Sequence, residues 1–270
     1  MPGYPKDTIE QKKKEIGYDD GLVTEAEHFY LWVVEGPERI RKELPIFDRG
    51  MNILLVNDLK PYKTRKVRIL NGIHTSLVPL SYLLGFNTIG EVMQAKEMKK
   101  VFKEVIYEEI LPTLNLPKEE LISYVDAVFE RFENPFLKHR LINICLNSMS
   151  KYNARVLPTV LDYYKINSVF PPRLVFGLAA LIWFYKGDRN GEKIPLADNQ
   201  DILDLYKRLW SNHDGTDDGI KKIVTEVLAY EKNWGRNLNE VKGLNDLVTL
   251  YLTKIEESGV QNAFKEIKNG

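Results

Sequence analysis

The chain has 270 residues, 44% hydrophobic and 28% charged, with 38 Lys+Arg against 38 Asp+Glu. That composition excludes a disordered or collagen-like chain, and a formal net charge of zero excludes whole-molecule attraction to nucleic acid or anionic lipid. The single cysteine, Cys145, excludes an internal disulfide framework and fits a reducing, cytoplasmic setting, while no apolar run suits a bilayer span and the N-terminus lacks the apolar core of a signal peptide.

In chain order, residues 7–17 predict a short charged helix, capped by Asp7 and closed by Gly17. "LVTEAEHFYLWVVEG" (22–36) and "MNILLVND" (51–58) are rich in β-branched and aromatic residues, and predict two or three strands. From residue 61 the pattern is helical, with helices expected over 62–84, 88–111, 117–131, 135–151, 154–164, 171–186, 198–211, 216–232 and 244–268. Asn134-Pro135 offers an N-cap followed by a proline at the first helical position. Gly85 and Gly187 stand where helix ends are wanted. Residues 111–120 read as a linker and 186–201 as the most polar loop. The chain shows no internal repeat and no G-x-G-x-x-G opening a helix after a strand. The expected fold is mainly α with a small β element near residues 22–58, divided into a junction segment (1–58) and a helical domain (59–270).

The most informative stretch is "NDLKPYKTRKVRILNGIHTSLVPLSYLLG" (57–85). Leu70, Ile73, Leu77, Leu80 and Leu84 follow the spacing of one buried helix face. At about 100° per residue, Lys66 falls in line with that stripe, His74 about 80° to one side and Asn71 about 140°. A lysine on an apolar face is expected to be desolvated, which lowers its pKa and suits it to general-base work. Bland readings compete with this one. A lysine near a helix start usually snorkels to water, and a lone histidine on a partly apolar helix is usually a core residue. Asn71-Gly72 could mark a helix irregularity or a close backbone approach. The five cations between Lys60 and Arg68 could form a phosphate patch, although the neutral chain carries no nucleic-acid motif.

"KPYKTRKVRILNGIHTSLVP" resembles the catalytic helix of the mannitol dehydrogenase family, the polyol-specific long-chain dehydrogenases. The family pattern is a lysine, an asparagine five residues later and a histidine three after that, which fall here on Lys66, Asn71 and His74. "RFENPFLKHRLINICLNSMSKYNARVLPTVLDYY" (131–164), "EHFYLWVVEG" (27–36) and "NWGRNLNEVKGLNDLVTLYL" (233–252) resemble further family blocks, so the likeness runs in order along nearly the whole chain. It implies a helical C-terminal domain like that of 6-phosphogluconate dehydrogenase. It also implies metal-free, NAD-dependent hydride transfer, with Lys66 as general acid/base, Asn71 bonding the reacting oxygen and His74 orienting a substrate hydroxyl.

Mannitol-type members tend to carry an acid three residues before the lysine, where this chain has Lys63. A basic surround suits a carboxylate, so the expected substrate is a sugar acid, with Lys63, Arg65, Lys151 and Arg155 as candidate contacts. Ordinary solvated cations remain the alternative for Lys151 and Arg155. Family members begin with a Rossmann-type nucleotide domain. The resemblance therefore implies that the cofactor-binding partner lies outside these 270 residues and that the chain alone is inactive. A polyol dehydrogenase, or a non-catalytic helical binding or assembly module, are the other readings. No nucleic-acid or membrane partner is expected.

Overall fold

The computed structural model describes residues 6–23, 29–135 and 139–269. It divides into two compact units, Met1–Lys63 and Thr64–Gly270.

In the first unit, helix α1 (Lys6–Ile16) ends before Gly17, which takes φ +86 as a helix stop. Strand β1 (Trp32–Glu35), helix α2 (Arg39–Glu43) and strand β2 (Ile53–Val56) follow. The two strands pair in parallel, with Trp32 opposite Ile53 and Glu35 opposite Val56. Parallel strands need a crossover, and residues 36–52, with α2 inside them, provide it. Part of the 22–36 strand expectation (residues 24–28) lies outside the described residues.

From Lys60 onward the chain is mainly helical. α3 (Lys60–Arg65) leads into a π-helical turn, Lys66–Asn71, and then α4 (Gly72–Leu83). The single helix expected over 62–84 is therefore three joined segments. α5 (Ile89–Gln94) and α6 (Lys96–Glu104) are separated by extended Ala95, and α6 runs into a second π turn, Val105–Ile110, and a 3-10 turn, Leu111–Thr113. The second π turn holds Glu109 where it accepts from the backbone N–H groups of Arg173 (3.0 Å) and Leu174 (2.8 Å), capping the helix they begin.

α7 (Lys118–Phe132) matches its expected span closely. The helix expected over 135–151 does not form as one piece. Pro135 lies in a turn, residues 136–138 lie outside the described residues, and Arg140 bridges to Thr88. α8 (Leu141–Ile144) is short, and α9 (Ser148–Arg155) starts afresh after Asn147, which is left-handed at φ 52. One long-range and one local polar bond replace helix continuation there: Asn147 N donates to Ala197 O (2.9 Å) and Ser148 Oγ to Cys145 O (2.7 Å).

α10 (Leu157–Asn167) and α11 (Pro172–Phe184) follow, α11 ending ahead of Gly187 at φ 82. The polar loop after it contains a small hairpin, β3 (Asp188–Arg189) with β4 (Glu192–Lys193). Its turn residues Asn190 and Gly191 both have positive φ, as the tight turn between right-twisted strands requires. α12 (Gln200–Ser211), α13 (Asp217–Leu228), α14 (Glu231–Trp234) and α15 (Leu244–Asn269) complete the unit, and α15 is interrupted at Gly259 (φ 77).

α11 is the centre of the core, buried from Leu174 through Ile182 and packed on α4 and α15. Gly177 lets α4 approach: a Cβ there would stand 2.6 Å from the Ser76 carbonyl oxygen. α4 is itself almost wholly buried, and its hydroxyls bond back to their own helix, Thr75 to Asn71 O (2.8 Å) and Ser81 to Leu77 O (2.8 Å). Among the described residues, no helix is long and apolar enough to cross a membrane.

Candidate active site

The site is built on the joint between α3 and α4. The expected buried stripe is real from Ile69 onward: Ile69, Ile73, Leu77 and Leu80 are fully buried, with Leu70 and Leu84 at its margin. Lys66 is not on it. Its side chain is exposed, which corrects the expectation of a desolvated lysine. The cause is the π turn, because a projection at 3.6 residues per turn fails across a segment whose bonds run from i to i+5. The same wider turn brings residues five apart toward one face, so Lys66 and Asn71 are nearer in direction than the roughly 140° of an α-helix.

Two arginines moor this joint. Arg68 donates to Thr159 Oγ1 (2.8 Å) and Asp162 Oδ2 (2.9 Å), fastening the π turn to α10. Arg65 lies over the Tyr124 ring (4.6 Å) and 3.7 Å from Glu120, so this candidate carboxylate contact is engaged with α7. Lys63, at the end of the first unit, is exposed.

Gly72 marks a helix irregularity rather than a close approach, since a Cβ would have ordinary van der Waals room there. It begins α4 directly after the π turn, and a Cβ on it would lie 3.5 Å from the Arg155 carbonyl oxygen of α9. The Arg155 guanidinium in turn donates to Thr75 Oγ1 (3.4 Å), whose hydroxyl donates to Asn71 O. Lys151, one turn earlier on α9, donates to Ile144 O (3.0 Å). Among the described residues, no carboxylate forms an ion pair with Lys151 or Arg155. Burial draws the pKa of both downward, and for Lys151 the Arg155 charge adds to it.

His74 is the electrostatic focus. Burial pushes its pKa down to about 3, and electrostatic effects of His139, Arg155, Arg131 and Lys151 act in the same direction. Its imidazole is neutral at physiological pH. The ring stacks on Phe132 (centroids 4.6 Å, planes 22° apart), and Nε2 is buried without a hydrogen-bond partner. Phe132, Arg131, His139 and Thr75 were not singled out from the sequence as site residues. All four lie in the two blocks that carry the family resemblance, which was the available signal.

Over residues 58–256 the chain matches the family model described as mannitol dehydrogenase C-terminal domain. It is 45% identical over 267 residues to altronate oxidoreductase of Enterobacter sp. (strain 638) and 44% identical to that of Escherichia coli (strain K12), covering 99% of this chain and 55% of each relative. It thus spans about half the length of these curated relatives. In fold it is similar to Pseudomonas fluorescens mannitol 2-dehydrogenase, solved as a ternary complex with NAD and D-mannitol. That match has TM-score 0.78 and 22% identity, over 98% of this chain and 52% of that one. It is also similar to a substrate-free D-sorbitol dehydrogenase, with TM-score 0.72 and 20% identity, over 97% of this chain and 52% of that one. With its helical core, its lysine–asparagine–histidine joint and a match spanning most of its length, the chain belongs to the mannitol dehydrogenase family, as its C-terminal domain.

Proposed function

We propose that this chain is the catalytic helical part of an NAD-dependent oxidoreductase that interconverts D-altronate and D-tagaturonate in hexuronate breakdown. The observation that carries the choice of a sugar acid is the positive surround of His74. Arg131, His139, Lys151 and Arg155 all act on it electrostatically, and neither Lys151 nor Arg155 forms an ion pair with a carboxylate among the described residues, although Asp198 acts on Lys151 through space. A neutral polyol gives such a surround nothing to neutralise, whereas a carboxylate does. The similarity to altronate oxidoreductases supports the same reading.

The described residues do not fit the cofactor. The turn after β1 reads Gly36-Pro37-Glu38, and α2 spans only five residues, so the β1–α2–β2 unit has no glycine-rich cradle for pyrophosphate. NAD is therefore assigned to a nucleotide-binding part outside this sequence, and the roles here concern only the sugar oxygens. On oxidation, Lys66 Nζ takes the proton of the reacting hydroxyl, and on reduction it returns that proton to the carbonyl oxygen. The Asn71 side-chain amide donates to the same oxygen as negative charge develops. Neutral His74 offers one N–H and one acceptor nitrogen to a neighbouring hydroxyl, and Arg155 with Lys151 meets the carboxylate.

The test is to join this sequence to the part of the Escherichia coli altronate oxidoreductase that it does not cover, and to follow NADH with tagaturonate, fructuronate and mannitol. Tagaturonate is expected to lead. A preference for fructuronate moves the substrate within the same class, while a preference for mannitol overturns the carboxylate argument. The 270-residue chain alone is expected to be inactive, and NADH-dependent reduction of tagaturonate by it would overturn that assignment.

A further inference from the structure

We propose that Phe132 is a positioning residue for His74, its ring holding the imidazole plane so that Nε2 is kept for a ligand hydroxyl. This rests on the reading of His74 as a substrate-orienting group. The Phe132 ring, at the C-terminal end of α7, covers one face of the imidazole at 4.6 Å and 22°. It is itself fixed: only 4% exposed, and edge-on to Phe129 at 6.2 Å and 72°. An imidazole has one soft torsion between its ring and Cβ, and a flat partner on its face stops that rotation while adding no hydrogen bond that would compete for its nitrogens.

Orientation matters here because Nε2 is shielded from water and unpaired. The Phe132 ring covers a face of the imidazole without offering a hydrogen bond to either nitrogen, so it constrains the plane and leaves Nε2 available. The ionic surround acts with the clamp. Arg131 closes α7 beside Phe132, His139 follows it in the chain, and Lys151 and Arg155 lie on α9; each disfavours a second proton on His74. Stacking fixes the plane, burial first and the cations second keep the ring neutral, and a neutral ring is one that can both donate and accept.

The test uses the 270-residue chain itself and ring nitrogen–proton NMR, with His74 identified by the loss of its signals in His74→Gln. In the unaltered chain, cross-relaxation between the His74 and Phe132 ring protons is expected, and His74 should stay neutral through the ordinary histidine range near about 6.5. Phe132→Leu uncovers one imidazole face, so the midpoint should rise by about one unit or more. Phe132→Tyr keeps a stacked ring and should retain the original titration. If Phe132→Leu does not fold, Phe132→Met gives the same reading. Absent cross-relaxation, or an unmoved midpoint in a folded Leu or Met variant, overturns the role. Neither readout needs cofactor or substrate, so failure of the oxidoreductase reading in the joined protein would leave this result standing.

Discussion

Lys66 and Asn71 stand at the two ends of one π-helical turn, five residues apart, in the register whose backbone bonds also span five residues. The lysine–asparagine spacing therefore has a structural counterpart. An α-helical turn would splay the two side chains by about 140°, while the wider turn draws them toward a common side. The extra residue makes the joint irregular, and Arg68 holds it by fastening it to α10.

Lys66→Ala separates chemistry from stability. The side chain is exposed, so the melting temperature should barely change, with an effect within about 0.5 kcal/mol. In the joined protein, turnover should fall about 100- to 10,000-fold, the usual contribution of a placed acid/base group. Near-normal turnover would remove Lys66 from the reaction.

Arg68 should be needed for the joint rather than for the chemistry. Removing it leaves the buried Thr159 Oγ1 without its donor, while Asp162 keeps Lys165 at 3.6 Å, so Arg68→Ala should cost about 1–2 kcal/mol of stability in urea. Arg68→Lys should recover little, because one ammonium does not reproduce a planar fork that reaches a hydroxyl and a carboxylate together. Full recovery by lysine would show that charge alone is what matters.

Gly177→Ala places a methyl group 2.6 Å from the Ser76 carbonyl oxygen, a backbone atom inside the α4–α11 contact. One helix must shift, and overpacking of this kind costs about 1–3 kcal/mol. A melting temperature equal to that of the unaltered chain would mean that α4 and α11 do not meet at this point.

His74 sets a direction for pH. Its folded pKa of about 3 lies below the unfolded value near about 6.5, so as pH falls below that value the unfolded chain takes up a proton that the folded chain refuses. Stability from the neutral ring is complete above the unfolded pKa and is lost progressively as pH falls toward 3. Urea midpoints between about pH 7.5 and about pH 4 should therefore slope downward with acid, and His74→Gln should flatten that slope. An unchanged slope would show that His74 does not titrate differently in the two states.

The apolar spacing of Ile69, Ile73, Leu77 and Leu80 announced a buried helix before any coordinates, because periodicity reports which face meets the core. Gly85 and Gly187 were legible as helix ends for a local reason, since left-handed backbone there asks for a residue without Cβ. The hairpin turn at Asn190-Gly191 is equally local, two positive-φ residues inside a stretch whose polarity alone reads as loop. Asn147, in contrast, stands left-handed between two short helices, and its N–H goes to Ala197 O, fifty residues on, a partner that no local pattern names.

By itself, the sequence determined the helical class, the burial of α4, the family and the identity of the three candidate residues on one short segment. Each of these is written in spacing or in residue type. Tertiary structure alone decided that Lys66 is exposed rather than desolvated, because a π turn shifts the register by a residue with no mark in the hydrophobic pattern. It alone decided that Arg65 is engaged with Glu120 and Tyr124. It alone brought Phe132, Arg131, His139, Lys151 and Arg155 around His74 from segments 57 to 81 residues away. Charge and stacking act through space, and only the packed chain determines which residues are neighbours there.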